Sequence, residues 1–149
     1  MAVNIAEMYT LLFAKDNNVA YEALQQLQTE SENANSVYLY MDKFIDMLDD
    51  KNAYIRIRGL TLIACNAKWD TDYKIDEIID KYLQHIVDIK PIAARQCIKL
   101  LPLLASSKPE LRLDIISALE RSDIAVYADS MRPLVGKDIQ TALKIIKSA

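Results

Sequence analysis

Apolar residues along the chain recur at the spacing of an amphipathic helix, and one such stripe occurs twice. Within residues 37–48 they stand at positions i, i+3, i+4, i+7, i+8 and i+11, and the same set returns 38 residues later within residues 75–86. The two sets are Val37, Tyr40, Met41, Phe44, Ile45 and Leu48, and Ile75, Ile78, Ile79, Tyr82, Leu83 and Ile86. One stripe of this kind is typical of the buried face of a helix. Two stripes at a fixed period predict stacked helical hairpins.

The other apolar runs predict helices throughout the chain and no strand, because they keep the 3.6-residue period and show no sustained alternation. Helices are expected to begin at the following residues: Asn4, Asn18, Ser36, Asn52, Asp72, Pro91 and Pro109. We expect a loop at residues 29–35 and a kink at Pro102. A short helix is predicted from about Ile124 to Leu134, interrupted near Arg132-Pro133, before a closing helix from Lys137.

The predicted helices alternate in character. The third and fifth helices carry a single apolar stripe, whereas the fourth and sixth are apolar over most of their circumference. Helices of the second kind are covered by neighbours on more than one side. We therefore expect each hairpin to have an outer first helix and an inner second helix.

The segment that links the first stripe to the fourth helix carries a more specific pattern. Asp50 lies in the predicted turn, and Arg56 follows it six residues later. Ile55 and Leu60 are the apolar residues that accompany them. This junction resembles the turn and second-helix start of the HEAT-repeat (armadillo-like) family of α-solenoids.

The later repeats match this pattern less well. Asp88 takes the acidic position again, but the arginine comes one residue later, at Arg95, and near Asp123 the arginine is missing. The resemblance implies an all-α fold, a right-handed α-α superhelix of about four HEAT-like hairpins, in a single domain over residues 1–149. A generic helical bundle is the alternative.

The composition is that of a soluble helical domain. With 149 residues, of which 52% are hydrophobic, the chain is long enough to bury one core. Its longest apolar runs are about eight residues, against the roughly 20 that cross a bilayer, and its first residues lack a secretory pattern. Cys65 and Cys97 lie in apolar segments without CxxC or Cys–His spacing, which favours two buried side chains. We expect a cytoplasmic protein without membrane contact.

No group of residues has the spacing of a catalytic or ligand-binding site. His85 is the one histidine, so imidazoles cannot complete a metal site or a proton relay. Paired carboxylates at 49–50 and 76–77 fall at helix ends, where acidic residues serve caps and helix dipoles. Gly59 falls inside a helix, which indicates close helix packing, and Gly136 is expected to end a helix. No catalytic residue, cofactor or metal is predicted.

The charges are distributed unevenly along the chain. Residues 1–89 hold 8 basic and 15 acidic side chains, whereas residues 90–149 hold 10 basic and 6 acidic ones. The HEAT resemblance implies a basic concave face that can meet a partner, since some HEAT-like proteins bind DNA along such a face. The candidates are Arg58, Arg95, Lys99 and Arg132. This basic excess is small for nucleic acid, because binding to nucleic acid draws its affinity from many phosphate contacts.

Three functional hypotheses follow. The leading one is a non-catalytic protein–protein interaction module or scaffold, a monomer or weak homodimer with a protein or peptide partner. Four tyrosines fit the stripes poorly and are candidate exposed contacts: Tyr38, Tyr54, Tyr73 and Tyr127. The second hypothesis is a nucleic-acid-binding protein with a basic inner face. The third is an enzyme whose site has no recognisable motif.

Overall fold

The structure, a computed structural model, describes residues 3–149, and the regular secondary structure in that range is all helical. Its α-helices are α1 (Ile5–Leu11), α2 (Asn17–Asn33), α3 (Met41–Met47), α4 (Ala53–Cys65), α5 (Lys74–Leu83), α6 (Pro91–Ser107), α7 (Arg112–Arg121) and α8 (Arg132–Lys147). Short 3₁₀ segments occupy Val37–Tyr40, Ala67–Trp69, Gln84–Val87, Pro109–Leu111 and Ile124–Val126. No strand is present among the described residues. The predicted all-α class is confirmed.

The helices belong to two compact units, each built from consecutive hairpins. In the N-terminal unit, which ends at Lys74, α2 packs on α1 and α4, and α3 packs on α4. In the C-terminal unit, which begins at Ile75, α6 packs on α7, on α8 and on the 3₁₀ segment that follows α5, and α7 packs on α8. The single domain over residues 1–149 stays a prediction.

Four aspartates make the same turn before the second half of each hairpin. In every case the carboxylate accepts a hydrogen bond from the backbone N–H two residues later, at 2.8–2.9 Å. The pairs are Asp16 with Asn18, Asp50 with Asn52, Asp88 with Lys90, and Asp123 with Ala125. Aspartate stabilises a turn in this way because its short side chain mimics a backbone carbonyl. The repeat seen in the apolar stripes is therefore also a repeat of turn geometry.

The junction between α3 and α4 has a further contact. The guanidinium of Arg56 donates to the backbone carbonyls of Asp50 and Lys51, at 3.0 and 3.1 Å. Arg56 is buried, so these carbonyls gain a charged partner where water is excluded. The six-residue spacing between Asp50 and Arg56 therefore lets the guanidinium of Arg56 bond to the backbone carbonyl of Asp50 and stabilise the turn.

The loop predicted at residues 29–35 is wrong for most of its length, because α2 continues to Asn33. Thr29 and Ser31 donate their hydroxyls to the carbonyls four residues earlier, at 3.0 and 2.6 Å. Ser31 is also buried. A helix tolerates polar side chains that donate hydrogen bonds to its own carbonyls. The polar residues 29–33 therefore continue α2 instead of ending it.

Two further boundaries differ from the predictions. The backbone N–H of Lys74, at the start of α5, donates to Asp70 at 3.0 Å, so Asp70 takes the place predicted for Asp72. Pro133 lies in the first turn of α8, which begins at Arg132, rather than breaking a helix. A proline in the first turn loses no hydrogen bond, because the amide groups there have no helical acceptor. Gly136 accordingly lies inside α8 and does not end a helix.

Close packing of α3 on α4 occurs at Gly59, as its position predicted. A Cβ atom on Gly59 would stand 2.9 Å from the Cβ of Met47 and 2.9 Å from the backbone oxygen of Phe44. The six consecutive residues Gly59–Ala64 are all buried, so α4 is covered on several sides as expected. In contrast, α6 leaves Ile92 and Leu103 exposed.

Candidate functional site

Arg58, the first candidate partner residue, points into the N-terminal unit. Its guanidinium donates to the backbone carbonyl of Leu12 at 2.7 Å and to the side-chain oxygen of Asn17 at 3.3 Å. Only 6% of the residue is exposed, and burial lowers the pKa of the guanidinium. Arg58 therefore ties α4 to the turn between α1 and α2. The structure corrects its assignment as a contact residue, because its charged group has no access to a partner.

Arg95 and Lys99 lie one turn apart on α6 in the C-terminal unit. The Nε of Arg95 donates to the carboxylate of Asp138 on α8 at 2.6 Å, and a second guanidinium nitrogen lies 3.5 Å from the other carboxylate oxygen. The carboxylate of Asp138 raises the pKa of Arg95. Lys99 is exposed, and no carboxylate of the described residues pairs with its ammonium group.

Arg132 stands apart from these two residues, at the start of α8. Its guanidinium lies 3.1 Å from the carboxylate of Asp129 and donates to the backbone carbonyl of Tyr127 at 2.9 Å. It lines a shallow depression with Ile124 and Gly136. Arg132 therefore fastens the segment that leads into α8.

A groove between α6 and α8 is lined by two of the candidate partner residues, Arg95 and Lys99. Its volume is about 330 Å³. The lining residues are Arg95, Lys99, Pro102, Leu134, Lys137, Asp138, Thr141, Ala142 and Ile145. We call it the α6–α8 groove. It is formed by the second helices of the last two hairpins, the type of helix that the sequence predicted to be inner.

The floor of the α6–α8 groove is apolar and open to solvent. Leu134 is 40% exposed and Ile145 is 50% exposed, and Pro102 and Ala142 complete the apolar lining. Large apolar side chains left open in a concave surface are typical of binding sites.

The rim of the groove is basic. The helices α6 and α8 together carry six basic residues and one acidic residue, Asp138. Lys137 is exposed and, like Lys99, has no carboxylate partner among residues 3–149. With Arg95 on the same rim, the groove joins an apolar floor to an excess of positive charge.

The sequence matches a family model described as HEAT repeat domain over residues 2–142. This match spans nearly the whole chain. The chain belongs to the HEAT-repeat family. Searches of curated proteins and of solved structures give no match to it. The HEAT resemblance of the α3–α4 junction is thus confirmed, and the groove lies between second helices of HEAT-type hairpins.

Other ionisable groups of this HEAT domain are held within their own unit. The Nδ1 of His85 lies 2.7 Å from a carboxylate oxygen of Asp88. The ammonium of the buried Lys108 lies 2.5 Å from Asp76 and 3.3 Å from Glu110. Burial raises the pKa of the Cys97 thiol, which favours the unreactive protonated form. The contacts of His85 and Lys108 therefore stabilise the ends of helices within the C-terminal unit.

The part of this HEAT domain that the structure describes contains neither a metal-binding cluster nor a membrane-crossing helix. Within residues 3–149 no three histidine, cysteine, aspartate or glutamate side chains stand close enough to hold a metal ion. No described helix combines the length and the apolar character that a membrane crossing requires.

The candidate tyrosines divide into two pairs. Tyr54 and Tyr73 are exposed, as predicted, whereas Tyr38 and Tyr127 are buried. The Tyr38 hydroxyl donates to Asp70, and the Tyr127 hydroxyl donates to the backbone carbonyl of Asp88. A tyrosine whose hydroxyl is hydrogen-bonded can be buried even where it lies off the apolar stripe of its helix. The stripes alone therefore could not predict which tyrosines are exposed.

Of the nine residues that line the groove, sequence reasoning named only Arg95 and Lys99 as partner contacts, and it missed Leu134, Lys137, Asp138 and Ile145 among the others. The break predicted at Arg132-Pro133 removed Leu134 from the closing helix. Once α8 is known to begin at Arg132, three residues fall on one face of the helix, at i, i+7 and i+11. They are Leu134, Thr141 and Ile145. That spacing was the available signal.

Proposed function

We propose that this HEAT domain is a non-catalytic protein-binding module whose docking surface is the α6–α8 groove. The observation that carries the proposal is the uncovered apolar floor of the groove, with Leu134 and Ile145 left 40% and 50% exposed beside a basic rim. A protein segment seated there removes apolar surface from water and meets charged groups at the edge. Interfaces combine an apolar centre and a polar rim in the same way.

The family supports the same function, because HEAT repeats are commonly scaffolds for protein interaction. The groove lies on second helices, whose exposed side chains can be exchanged without altering the buried stripes. A partner can therefore be selected without changing the packing of the hairpins.

Nucleic-acid binding has less support from the contacts. Arg58 is used inside the N-terminal unit, and Arg95 is held by Asp138. In the groove this leaves Lys99 and Lys137 as unpaired cations among the described residues. Nucleic-acid affinity grows with the number of phosphates neutralised, and two lysines supply few contacts.

Affinity capture with matched variants tests the proposed function. The full chain is immobilised as wild type, as Ile145→Asp and as Leu113→Asp, and bound proteins are quantified after nuclease treatment. Leu113 is the control because, like Ile145, it is a large exposed aliphatic residue, and it lies outside the groove with 73% of its surface exposed. We expect a protein retained by wild type and Leu113→Asp and lost by Ile145→Asp. Equal recovery on all three chains, or loss of all binding on nuclease treatment, contradicts the proposal.

A further inference from the structure

We propose that the α6–α8 groove takes an acidic protein segment that carries apolar side chains, and that Asp138 competes with this segment for Arg95. The inference rests on the proposed function and goes beyond it by naming the chemistry of the partner. It also assigns a role to the one acidic residue of the groove.

The charges of the groove select an acidic partner. Arg95, Lys99 and Lys137 line it, and Asp138 is its one carboxylate. Complementary charge attracts the correct partner and repels segments of the same sign. A basic segment would bring its charges against Lys99 and Lys137, the two cations of the groove that no carboxylate of the described residues pairs, whereas carboxylates would neutralise them.

The arrangement of the lining residues sets the size of the segment. On α6, Arg95, Lys99 and Pro102 fall at i, i+4 and i+7, and on α8 the stripe runs from Leu134 to Ile145. The α8 stripe is about 16 Å long, since a helix rises about 1.5 Å per residue. An extended segment of about five residues covers this length. Leu134 and Ile145, at its two ends, provide apolar contacts for alternate side chains.

Asp138 occupies the position in which a carboxylate of the partner would bind. Its side chain meets Arg95 through one short contact of 2.6 Å and one long contact of 3.5 Å. Arginine offers five N–H donors, and its side chain here is 31% exposed. An incoming carboxylate must share these donors with Asp138 and approach its negative charge. Removing that charge therefore strengthens binding, while the cations of the rim remain in place.

Fluorescence anisotropy with short labelled peptides tests this inference on the full chain. The first probe alternates glutamate and leucine, the second replaces leucine by serine, and the third replaces glutamate by lysine. The variants are Asp138→Asn and the double variant Lys99→Glu/Lys137→Glu. The control is Lys90→Glu/Lys144→Glu, which makes the same change in charge on exposed lysines outside the groove. Thermal unfolding of each variant checks that it is folded.

We expect wild type to bind the glutamate–leucine peptide more tightly than the other two probes. Asp138→Asn should tighten binding by roughly 3- to 10-fold, since charge-assisted bonds to arginine are released for the peptide. Lys99→Glu/Lys137→Glu should weaken it by about tenfold or more, and the control should change it little. Higher salt should weaken binding to wild type.

Other outcomes overturn the inference in distinguishable ways. Binding of the lysine–leucine peptide in preference to the acidic one, if lost in Ile145→Asp, removes the acidic partner and leaves the proposed function standing. Unchanged or weaker binding by Asp138→Asn contradicts the role given to Asp138. If a duplex oligonucleotide binds through Lys99 and Lys137 while no peptide binds, the inference and the proposed function both fail.

Discussion

Arg58 and Lys99 are basic residues of second helices, yet the fold uses them in opposite ways. Arg58 is buried and its guanidinium satisfies the carbonyl of Leu12, next to the end of α1. Lys99 is exposed on the rim of a groove. The difference lies in the surroundings of each residue, since a carbonyl at a helix end accepts a hydrogen bond that the helix itself does not supply.

Replacing both residues by methionine separates the two roles. Arg58→Met should lower the free energy of unfolding by about 2–3 kcal/mol, because the Leu12 carbonyl loses a charged partner in a buried place. Lys99→Met should change it by less than about 0.5 kcal/mol, as surface substitutions do. Urea unfolding followed by circular dichroism measures both. A loss of unfolding free energy for Arg58→Met as small as that for Lys99→Met would show that the guanidinium of Arg58 does not stabilise the fold.

The two glycines of the chain provide a second contrast. Alanine at Gly59 would place its Cβ 2.9 Å from backbone and side-chain atoms of α3. The gain of up to about 1 kcal/mol from better helix propensity is then exceeded by overpacking of about 1–3 kcal/mol. At Gly136 the nearest atom is the tip of Ile124, at 3.2 Å, which can move.

We therefore expect Gly59→Ala to lower the thermal midpoint and Gly136→Ala to keep or raise it. Differential scanning calorimetry at one protein concentration compares both with wild type. A stabilised Gly59→Ala chain would mean that α3 and α4 are further apart at this position than the structure shows.

At the scale of the element, the aspartate turns define the hairpins more consistently than the arginine does. Asp16, Asp50, Asp88 and Asp123 all accept the N–H two residues later, although Arg56 has no counterpart at the same spacing in the later repeats. The turn needs only one short acceptor side chain, whereas the arginine contact also needs correctly placed carbonyls. The turn therefore persists where the longer motif is lost.

Asp16→Ala should cost about 1 kcal/mol of stability, because the first turn of α2 loses its acceptor. The control is Asp129→Ala, which removes a 95% exposed carboxylate that pairs with Arg132 at the surface. Such pairs contribute about 0–1 kcal/mol. Chemical unfolding of the two variants gives the comparison. A larger loss for Asp129→Ala than for Asp16→Ala contradicts the structural role of the turn.

The elements also show what the sequence could and could not predict. The stripes in residues 37–48 and 75–86, the cap Asn52 and the helix start at Pro91 follow from local rules. Nine of the twelve stripe residues are buried, and the cap and the helix start are as predicted, although a 3₁₀ segment begins the first stripe and another ends the second. The end of α2 and the start of α8 depend on side chains that bond back onto the helix and on a proline in a first turn. Composition alone does not distinguish these cases from loops and breaks.

The candidate site was predictable to the same extent. Arg95 and Lys99 share a face of α6 by spacing, and the structure places both on the groove. The burial of Arg58 depends on the turn between α1 and α2, which is more than 40 residues away in sequence. Pairing of Arg95 with Asp138 likewise joins residues 43 apart. Periodicity within one helix contains no information about such contacts.

At the scale of the whole molecule, both units bury a tyrosine whose hydroxyl fixes a turn. Tyr38 donates to Asp70 in the N-terminal unit, and Tyr127 donates to the carbonyl of Asp88 in the C-terminal unit. Burial is the largest cause that raises the pKa of each phenol, to about 12 for Tyr127. Folding therefore favours the protonated phenols, which links the stability of the chain to alkaline pH.

The direction of this effect follows from proton binding. Between pH 10 and 12 an unfolded chain loses the phenolic proton, whereas the folded chain retains that of Tyr127. The folded state then binds more protons, so stability falls as pH rises. The contribution of Tyr127 is complete below pH 10 and is lost as pH rises through its folded pKa of about 12.

Unfolding of wild type and Tyr127→Phe at constant ionic strength tests this linkage. At pH 8 the variant should be less stable by about 1 kcal/mol, because it lacks the hydrogen bond to Asp88. As pH rises from 10 to 12, wild type should lose up to about 2 kcal/mol more than the variant, since phenylalanine does not titrate. The difference between the two chains should therefore shrink or reverse. A difference that stays constant over this range would show that the Tyr127 phenol is as accessible to solvent in the folded chain as in the unfolded one.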